Sequence, residues 1–285
     1  MMRWHSRTLE GNVVVSASSS DTAARSSGDL FSVAGKVAIV TGGSRGIGAM
    51  IAAGLVRAGC RVYITARKKD ACDAKAAELS AHGECISVPV DLAAAGGVDD
   101  LVRTVSERED RLHILVNNAG ATWGAPLADY PLEAFDKLWN VNVKALFALT
   151  VRSLPLLRAA ATADDPARVI NIGSIDGLSI PAMEVYAYSA SKAGVHMLTR
   201  HLASTLAAES ITVNAIAPGP FDSKMMAFAL NDPQTRSAIA AGVPLRRIGE
   251  PDDMAGAAIF LASRAGRYLT GTVIPVDGGL STIGR

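Results

Sequence analysis

Lys36-Val-Ala-Ile-Val-Thr41 runs directly into Gly42-Gly-Ser-Arg-Gly-Ile-Gly48, and the chain then continues as an apolar, helix-forming stretch to about Ala58. The first six residues read as a short buried strand, because small and β-branched apolar side chains follow one another without polar alternation. Glycine suits the turn that follows, where the backbone must bend tightly and come close to a pyrophosphate. The helix behind it offers free N–H groups and positive potential. The spacing is G-x3-G-x-G, not the G-x-G-x-x-G dinucleotide fingerprint, and the Lys-Ser/Thr ending of an NTPase phosphate loop is absent. A glycine turn without a ligand is the alternative reading. Its place between a strand and a helix favours a phosphate cradle.

Working outward, the same alternation repeats. Arg61–Thr65, Cys85–Val90, His113–Val116, Arg168–Ile172, Ile211–Ile216 and Val273–Val276 read as strands. Helical patterns fall at Lys69–His82, near 97–110, at about 129–160 and 184–208, and at Pro251–Leu261. Strands alternating with longer helices predict an α/β fold: a doubly wound, mostly parallel sheet of Rossmann type with helices on both faces. Segment 218–250 breaks the rhythm with Pro218, Gly219, Pro220, Pro233 and Pro244, and reads as an inserted lid or loop.

The 285 residues fit one domain plus a tail. Residues 1–30 hold seven serines, three arginines, three acids and no lysine, with only Val13-Val14-Val15 as an apolar run. That composition predicts a disordered extension, leaving a single organised domain over 31–285. The apolar run is too short for a secretory signal, and Glu10, Asp21 and Asp29 argue against an organellar presequence. The net charge of +1 gives no reason to propose nucleic acid or an anionic membrane as partner, and no apolar run is long enough to span a bilayer. Cys60, Cys72 and Cys85 lack metal-ligand spacing and suit a reducing, cytoplasmic setting. The five histidines form no ligand-spaced motif either, so no metal is expected.

At the cofactor end, a domain preferring NAD carries an acid after its second strand. This chain instead reads Thr65-Ala-Arg67-Lys68. Arg67, with Arg45 in the first turn, would meet a 2′-phosphate through charged, fork-like hydrogen bonds, which points to NADP(H). Two solvated surface arginines are the alternative. Asn117-Asn118-Ala119-Gly120 ends a strand where polar groups and glycine can line the crevice. Asp91, beside Leu92, would accept from the adenine amino group or simply open a turn.

Tyr188 and Lys192 stand four apart, and so on one helical face. A phenol titrates near pKa ~10, and the ammonium is expected to draw it down toward working pH. Tyr186 is not in that register.

The motifs TGGSRGIG (41–48), NNAG (117–120), NVNV (140–143), INIGS (170–174), YSASK (188–192) and PGP (218–220) together resemble the short-chain dehydrogenase/reductase family, over about 35–280. The resemblance implies a seven-stranded sheet, a catalytic set of Asn142, Ser174, Tyr188 and Lys192, and dimers or tetramers formed through the helices around 129–160 and 184–208. It also implies cofactor contacts from Gly42, Ser44, Arg45, Gly46, Ile47, Gly48, Arg67, Asp91, Leu92, Asn118, Ala119, Gly120, Tyr188, Lys192, Pro218 and Gly219. Ser223 is left open as a further contact, because Phe221 and Asp222 separate it from the PGP motif.

Chemistry assigns the roles. Hydride addition to a carbonyl carbon leaves charge on the oxygen, which needs a proton donor and a second, orienting donor. Tyr188 is the acid in reduction and the base in oxidation. Ser174 orients the oxygen, Lys192 tunes Tyr188 and holds ribose hydroxyls, and Asn142 positions a water leading to solvent. Ser174 as a turn hydroxyl and Asn142 as a helix-packing residue remain open. Trp123, Ile175, Met183, Phe221, Met225, Met226 and Phe228 are candidate substrate walls, with lid-core packing the alternative for 225–228. The apolar bias resembles that of bacterial 3-oxoacyl-thioester reductases, including those near rhamnolipid synthesis. Lys224 and Arg246 would then reach an acyl-carrier phosphate. A sugar, polyol or small-ketone dehydrogenase is the second reading, and an NADPH-binding sensor or scaffold without turnover the third.

Overall fold

Alternate residues of Val37–Thr41 (β1) enter two different cores, which is why all five are buried. Residues 26–282 are described in a computed structural model. The further strands are β2 (Arg61–Thr65), β3 (Cys85–Ser87), β4 (Ile114–Asn117), β5 (Ala167–Ile172), β6 (Ile211–Pro218) and β7 (Val273–Val276). They form a seven-stranded sheet, parallel throughout, in the order β3-β2-β1-β4-β5-β6-β7. From β1 the chain winds first toward β3 and then back past β1 to β7. The carboxyl ends of β1 and β4 therefore face diverging connections, where a doubly wound sheet opens its ligand crevice.

The helices are α1 (Ser27–Phe31), α2 (Gly46–Arg57), α3 (Lys69–Leu79), α4 (Gly97–Ser106), α5 (Glu133–Trp139), α6 (Ala145–Ala160), α7 (Tyr186–Leu206), α8 (Ala227–Leu230), α9 (Pro233–Gly242) and α10 (Pro251–Ala262). One face of the sheet packs Val40, Ile64, Ile170 and Ile216 against α2, α3 and α10 through Ile51, Leu55, Cys72, Met254 and Leu261. The other packs Ile39, Leu115, Val169 and Val213 against α4, α6 and the end of α7 through Leu101, Leu149 and Leu206.

Four departures from the sequence reading have local causes. The third strand stops at Ser87, since Pro89 has no N–H to donate, although Val88 and Val90 still donate to Ile64 and Ala66. The long helix expected over 129–160 is α5, a π-helical turn at Asn140–Lys144, and α6. Segment 218–250 contains α8 and α9, the latter capped by Asp232 accepting from the Thr235 N–H with Pro233 in its first turn. The expected extension over 1–30 gives up its last residues: Ser26 caps α1, and the Phe31 ring lies 6.4 Å from that of Phe260. The rest of that expectation, residues 1–25, lies outside the described residues.

Candidate active site

The site begins where β1 and β4 end together. Thr41 Oγ1 accepts from the N–H groups of Asn118 (2.8 Å) and Ala119 (2.9 Å) and donates to the Val116 carbonyl. Asn118 Nδ2 donates to the Thr41 carbonyl at 2.7 Å. Both strand termini are thus locked into one floor. The glycines fit a cradle over it: Gly42 and Gly46 have φ of +66° and +54°. A Cβ on Gly48 would lie 2.4 Å from both Asn118 Nδ2 and the Gly42 carbonyl. Ser44 and Ile47 are half-buried on the same turn. Gly120 faces Asn142 Oδ1 and Lys192 Nζ, which a Cβ there would approach to 3.1 and 3.7 Å. Pro218 ends β6, and Gly219 packs so closely that a Cβ would sit 2.7 Å from Asp277 Cα.

Arg45 stands exposed at the N-cap of α2, and Arg67 is exposed just beyond β2. Arg61, Arg158, Arg236 and Arg247 all join carboxylates, whereas neither of these two has an ion-pair partner among the described residues. Asp91 Oδ1 accepts from the Ala93 N–H at 3.0 Å, the turn-opening role, and Leu92 is buried behind it. Ser223 lies against the first turn: a Cβ on Gly46 would be 3.1 Å from Ser223 Cβ.

Tyr188 and Lys192 lie one turn apart on α7, both buried, whereas Tyr186 is exposed and donates to Glu184. Lys192 Nζ sits 5.6 Å from the Tyr188 ring centroid and donates to the Ile172 carbonyl at 2.7 Å. The expected lowering of the phenol pKa is not what this geometry gives. Burial pushes Tyr188 up to about 12, only partly offset by the nearby Ser174 hydroxyl, and the charge of Asp176 adds to the rise. Burial also brings Lys192 down to about 8. The site holds its phenol protonated, the form that reduction requires.

Ser174 caps the 3-10 turn Ile175–Gly177, and its Oγ accepts from the Asp176 N–H at 3.1 Å. The turn role and the contact with Tyr188 therefore coexist in one hydroxyl. Asn142 lies in the π-helical turn, whose extra residue rotates it inward. Its Oδ1 accepts from the Ala121 N–H, and its Nδ2 donates to the Ala121 carbonyl and to Ser191 Oγ, so its contacts are with Ala121 and Ser191 rather than with Lys192 directly. Thr41 and Ser191 were missed by sequence reasoning. Thr41 was quoted within a motif, and its position as the last strand residue before the glycines was the available signal.

The Lys192 shift has a consequence for stability. Between pH about 8 and 10.5 the unfolded chain binds more protons than the folded one, so this group makes stability rise with pH in that window. Below about 8 the cost of burying the ammonium is present in full. Lys192→Met should therefore be more stable than wild type at pH 7, on the order of 1–3 kcal/mol. The margin should narrow from pH 8 to 10.5. Urea unfolding at pH 7 and 10 checks it; a margin that does not change with pH contradicts it.

A family model described as Enoyl-(Acyl carrier protein) reductase matches residues 42–281. The rhamnolipids biosynthesis 3-oxoacyl-[acyl-carrier-protein] reductase of Pseudomonas aeruginosa is 51% identical over 249 residues, covering 87% of this chain and 97% of the relative. The solved Pseudomonas aeruginosa RhlG/NADP active-site complex superposes with a TM-score of 0.87 at 50% identity, covering 89% of this chain and 99% of the other. A gluconate 5-dehydrogenase of Gluconobacter oxydans is 32% identical over 259 residues, covering 89% and 97%. This chain belongs to the short-chain dehydrogenase/reductase family.

In this short-chain dehydrogenase/reductase the loops beyond the carboxyl ends of the sheet carry exposed apolar side chains. Trp123, Met183 and Met225 are 49%, 44% and 36% exposed, on loops that follow β4, β5 and β6. Two of those loops are tied together by the Ala125 N–H donating to the Glu184 carbonyl. Met226 is half-buried. Phe221 is a correction: it is buried in the core, pressed on Gly249, where a Cβ would meet its ring at 2.4 Å, so it lines no substrate wall. Ile175 is buried too, and the Phe228 side chain lies outside the described residues. Leu178, also exposed on the β5 loop, was missed.

Proposed function

We propose that this protein reduces the 3-oxo group of an acyl thioester to the 3-hydroxyl with NADPH. The observation that carries this reading is a buried Tyr188 one helical turn from a buried Lys192 and near Ser174, beside a glycine cradle flanked by two exposed arginines that have no ion-pair partner among the described residues. The cradle from Gly42 to Gly48 would hold the pyrophosphate, Arg45 and Arg67 the 2′-phosphate, and Lys192 the ribose hydroxyls. Bound NADPH supplies hydride to the carbonyl carbon. Ser174 and Tyr188 donate to the carbonyl oxygen, and Tyr188 passes it the proton as negative charge grows there. Asn142, fixed through Ala121 and Ser191, orients the route by which Lys192 reaches solvent. Asp91 and Leu92 edge the adenine side, and Asn118, Ala119, Gly120, Pro218 and Gly219 the nicotinamide side.

The exposed apolar side chains on these loops support an alkyl tail, and the rhamnolipid-related protein at 51% identity is named for this reaction. Two alternatives have support: the gluconate 5-dehydrogenase likeness suggests a sugar acid, and the family model's description suggests a 2-enoyl thioester. Initial rates with NADPH decide between them. A 3-oxoacyl thioester should exceed 5-ketogluconate and a 2-enoyl thioester by at least tenfold in kcat/KM. Equal or reversed rates refute the substrate assignment, and cofactor binding without turnover on any carbonyl would favour the sensor or scaffold reading.

Residues 31–285 would act as one catalytic domain with 218–250 as lid, supported by the contact of Ser223 with the first turn. An acyl-carrier protein is the proposed donor of the thioester. Lys224 is exposed, and Arg246 donates to the Ala241 carbonyl, with neither side chain in an ion pair among the described residues, which supports both as contacts for a carrier phosphate. Phe135, Trp139, Phe147, Val151 and Met197 leave an exposed apolar face on α5–α7 that a homodimer or homotetramer would cover. Sedimentation velocity should find no monomer at micromolar concentration; a monomer contradicts this assembly. No helix among the described residues is long and apolar enough to cross a membrane. The free, buried thiols of Cys60, Cys72 and Cys85 fit a reducing, cytoplasmic compartment.

A further inference from the structure

Tyr188 and Lys192 are the first two members of a three-residue stripe on α7. The third, His196, stands one further turn along and is 3% exposed, yet the mechanism gives it no part. What it touches is the turn that carries Ser174. A Cβ on Gly173 would lie 2.1 Å from His196 Nε2 and 2.7 Å from Cδ2, and its three nearest atoms all belong to this imidazole. A Cβ on Gly177 would lie 2.7 Å from the backbone of Lys192 and Ala193 and 2.9 Å from His196 Cε1. Neither glycine has a positive φ. They are required for space, not for backbone conformation.

The residues on both sides of Ser174 are therefore pressed flush onto α7, with the imidazole between them. We propose that His196 is a positioning residue: its ring is the wedge on which the Gly173–Gly177 turn seats, and it thereby fixes the Ser174 hydroxyl relative to Tyr188. A planar ring with two rotatable bonds, closely packed, suits this task better than a flexible chain. Burial keeps the imidazole neutral, with its pKa down at about 4. The Gly177 backbone approaches closely enough to favour the charged form somewhat, but without a well-formed hydrogen bond. Shape, not proton transfer, is what the ring contributes. The inference rests on the proposed role of Ser174 and not on the identity of the thioester.

The test compares His196→Ala, Ser174→Ala and the double variant, reading kcat and the NADPH dissociation constant on the full chain. His196→Ala should lower kcat ~10–100-fold, the range that a small misplacement of a reacting group produces, with NADPH affinity unchanged. The double variant should be no slower than Ser174→Ala within about twofold, because effects passing through one group do not multiply. Multiplying effects, or a wild-type kcat in His196→Ala, overturn the inference while leaving the site reading intact. A wild-type kcat in Ser174→Ala overturns the role of Ser174 itself, and the inference with it. Should His196→Ala not fold, Gly173→Ala gives the answer from the other side. Its methyl must displace the ring, so kcat should fall at least tenfold, and Gly173→Ala/His196→Ala should recover several-fold by vacating that space. A Gly173→Ala enzyme with wild-type kcat, or no recovery in the double, overturns the inference.

Discussion

Tyr188→Phe is expected to lower kcat by ~10²–10⁴-fold, the usual worth of a positioned proton donor. Phenylalanine keeps the ring and so the packing of a side chain that is 8% exposed. It removes the hydroxyl that, under the proposed function, donates to the substrate oxygen. With Tyr188 pushed up to about 12 by burial, the phenol is protonated throughout the neutral range. Reduction should therefore show no loss from Tyr188 titration at neutral or mildly basic pH, whereas the reverse oxidation, which needs the phenolate, should accelerate as pH rises. NADPH binding should survive, because the cradle from Gly42 to Gly48 lies on a different element. Initial rates in both directions, with a cofactor titration by fluorescence, read all three quantities. A loss under tenfold, or one explained by lost cofactor binding, contradicts the assignment.

Removing both exposed guanidinia is the second large effect. Arg45→Ala/Arg67→Ala should lower kcat/KM for NADPH by ~10²-fold or more, since hydrogen bonds to a charged group are worth ~1.5–3 kcal/mol each. The NADH value should stay within a few-fold of wild type, because NADH has no 2′-phosphate to lose. Both side chains lack carboxylate partners among the described residues, so the substitutions leave no buried charge behind and stability should hold. Arg67→Asp should go further and favour NADH, since it supplies the acid that ribose hydroxyls prefer after the second strand. Equal losses with the two cofactors would show that these arginines act on something common to both.

These effects fall on residues that were legible because their chemistry is local. A glycine turn between a strand and a helix, an i,i+4 phenol and ammonium, and missing acidity after β2 all declare themselves within a few positions. What stayed hidden depends on distant packing. The sign of the Tyr188 shift follows from how thoroughly α7 is covered, which no spacing reports, so the expected lowering by Lys192 gave way to a rise. Phe221 has the composition of a substrate wall, but the single glycine at 249 admits its ring to the core. The inward turn of Asn142 depends on one extra residue in a π-helical turn that hydrophobic periodicity smooths over. Thr41 joins two strand ends 75 or more residues apart in the chain, a link visible only in three dimensions.

Under the proposed function, hydride goes to the 3-carbon of an acyl thioester and the proton comes from Tyr188. Turnover of a 3-oxoacyl thioester with NADPH deuterated at the transferring position of the nicotinamide tests it most directly, by mass spectrometry and NMR of the product. One deuterium at C3 of the 3-hydroxyacyl thioester per NADPH consumed is the predicted result. A product without deuterium at C3, or label found only in a saturated acyl chain formed from a 2-enoyl substrate, would contradict it.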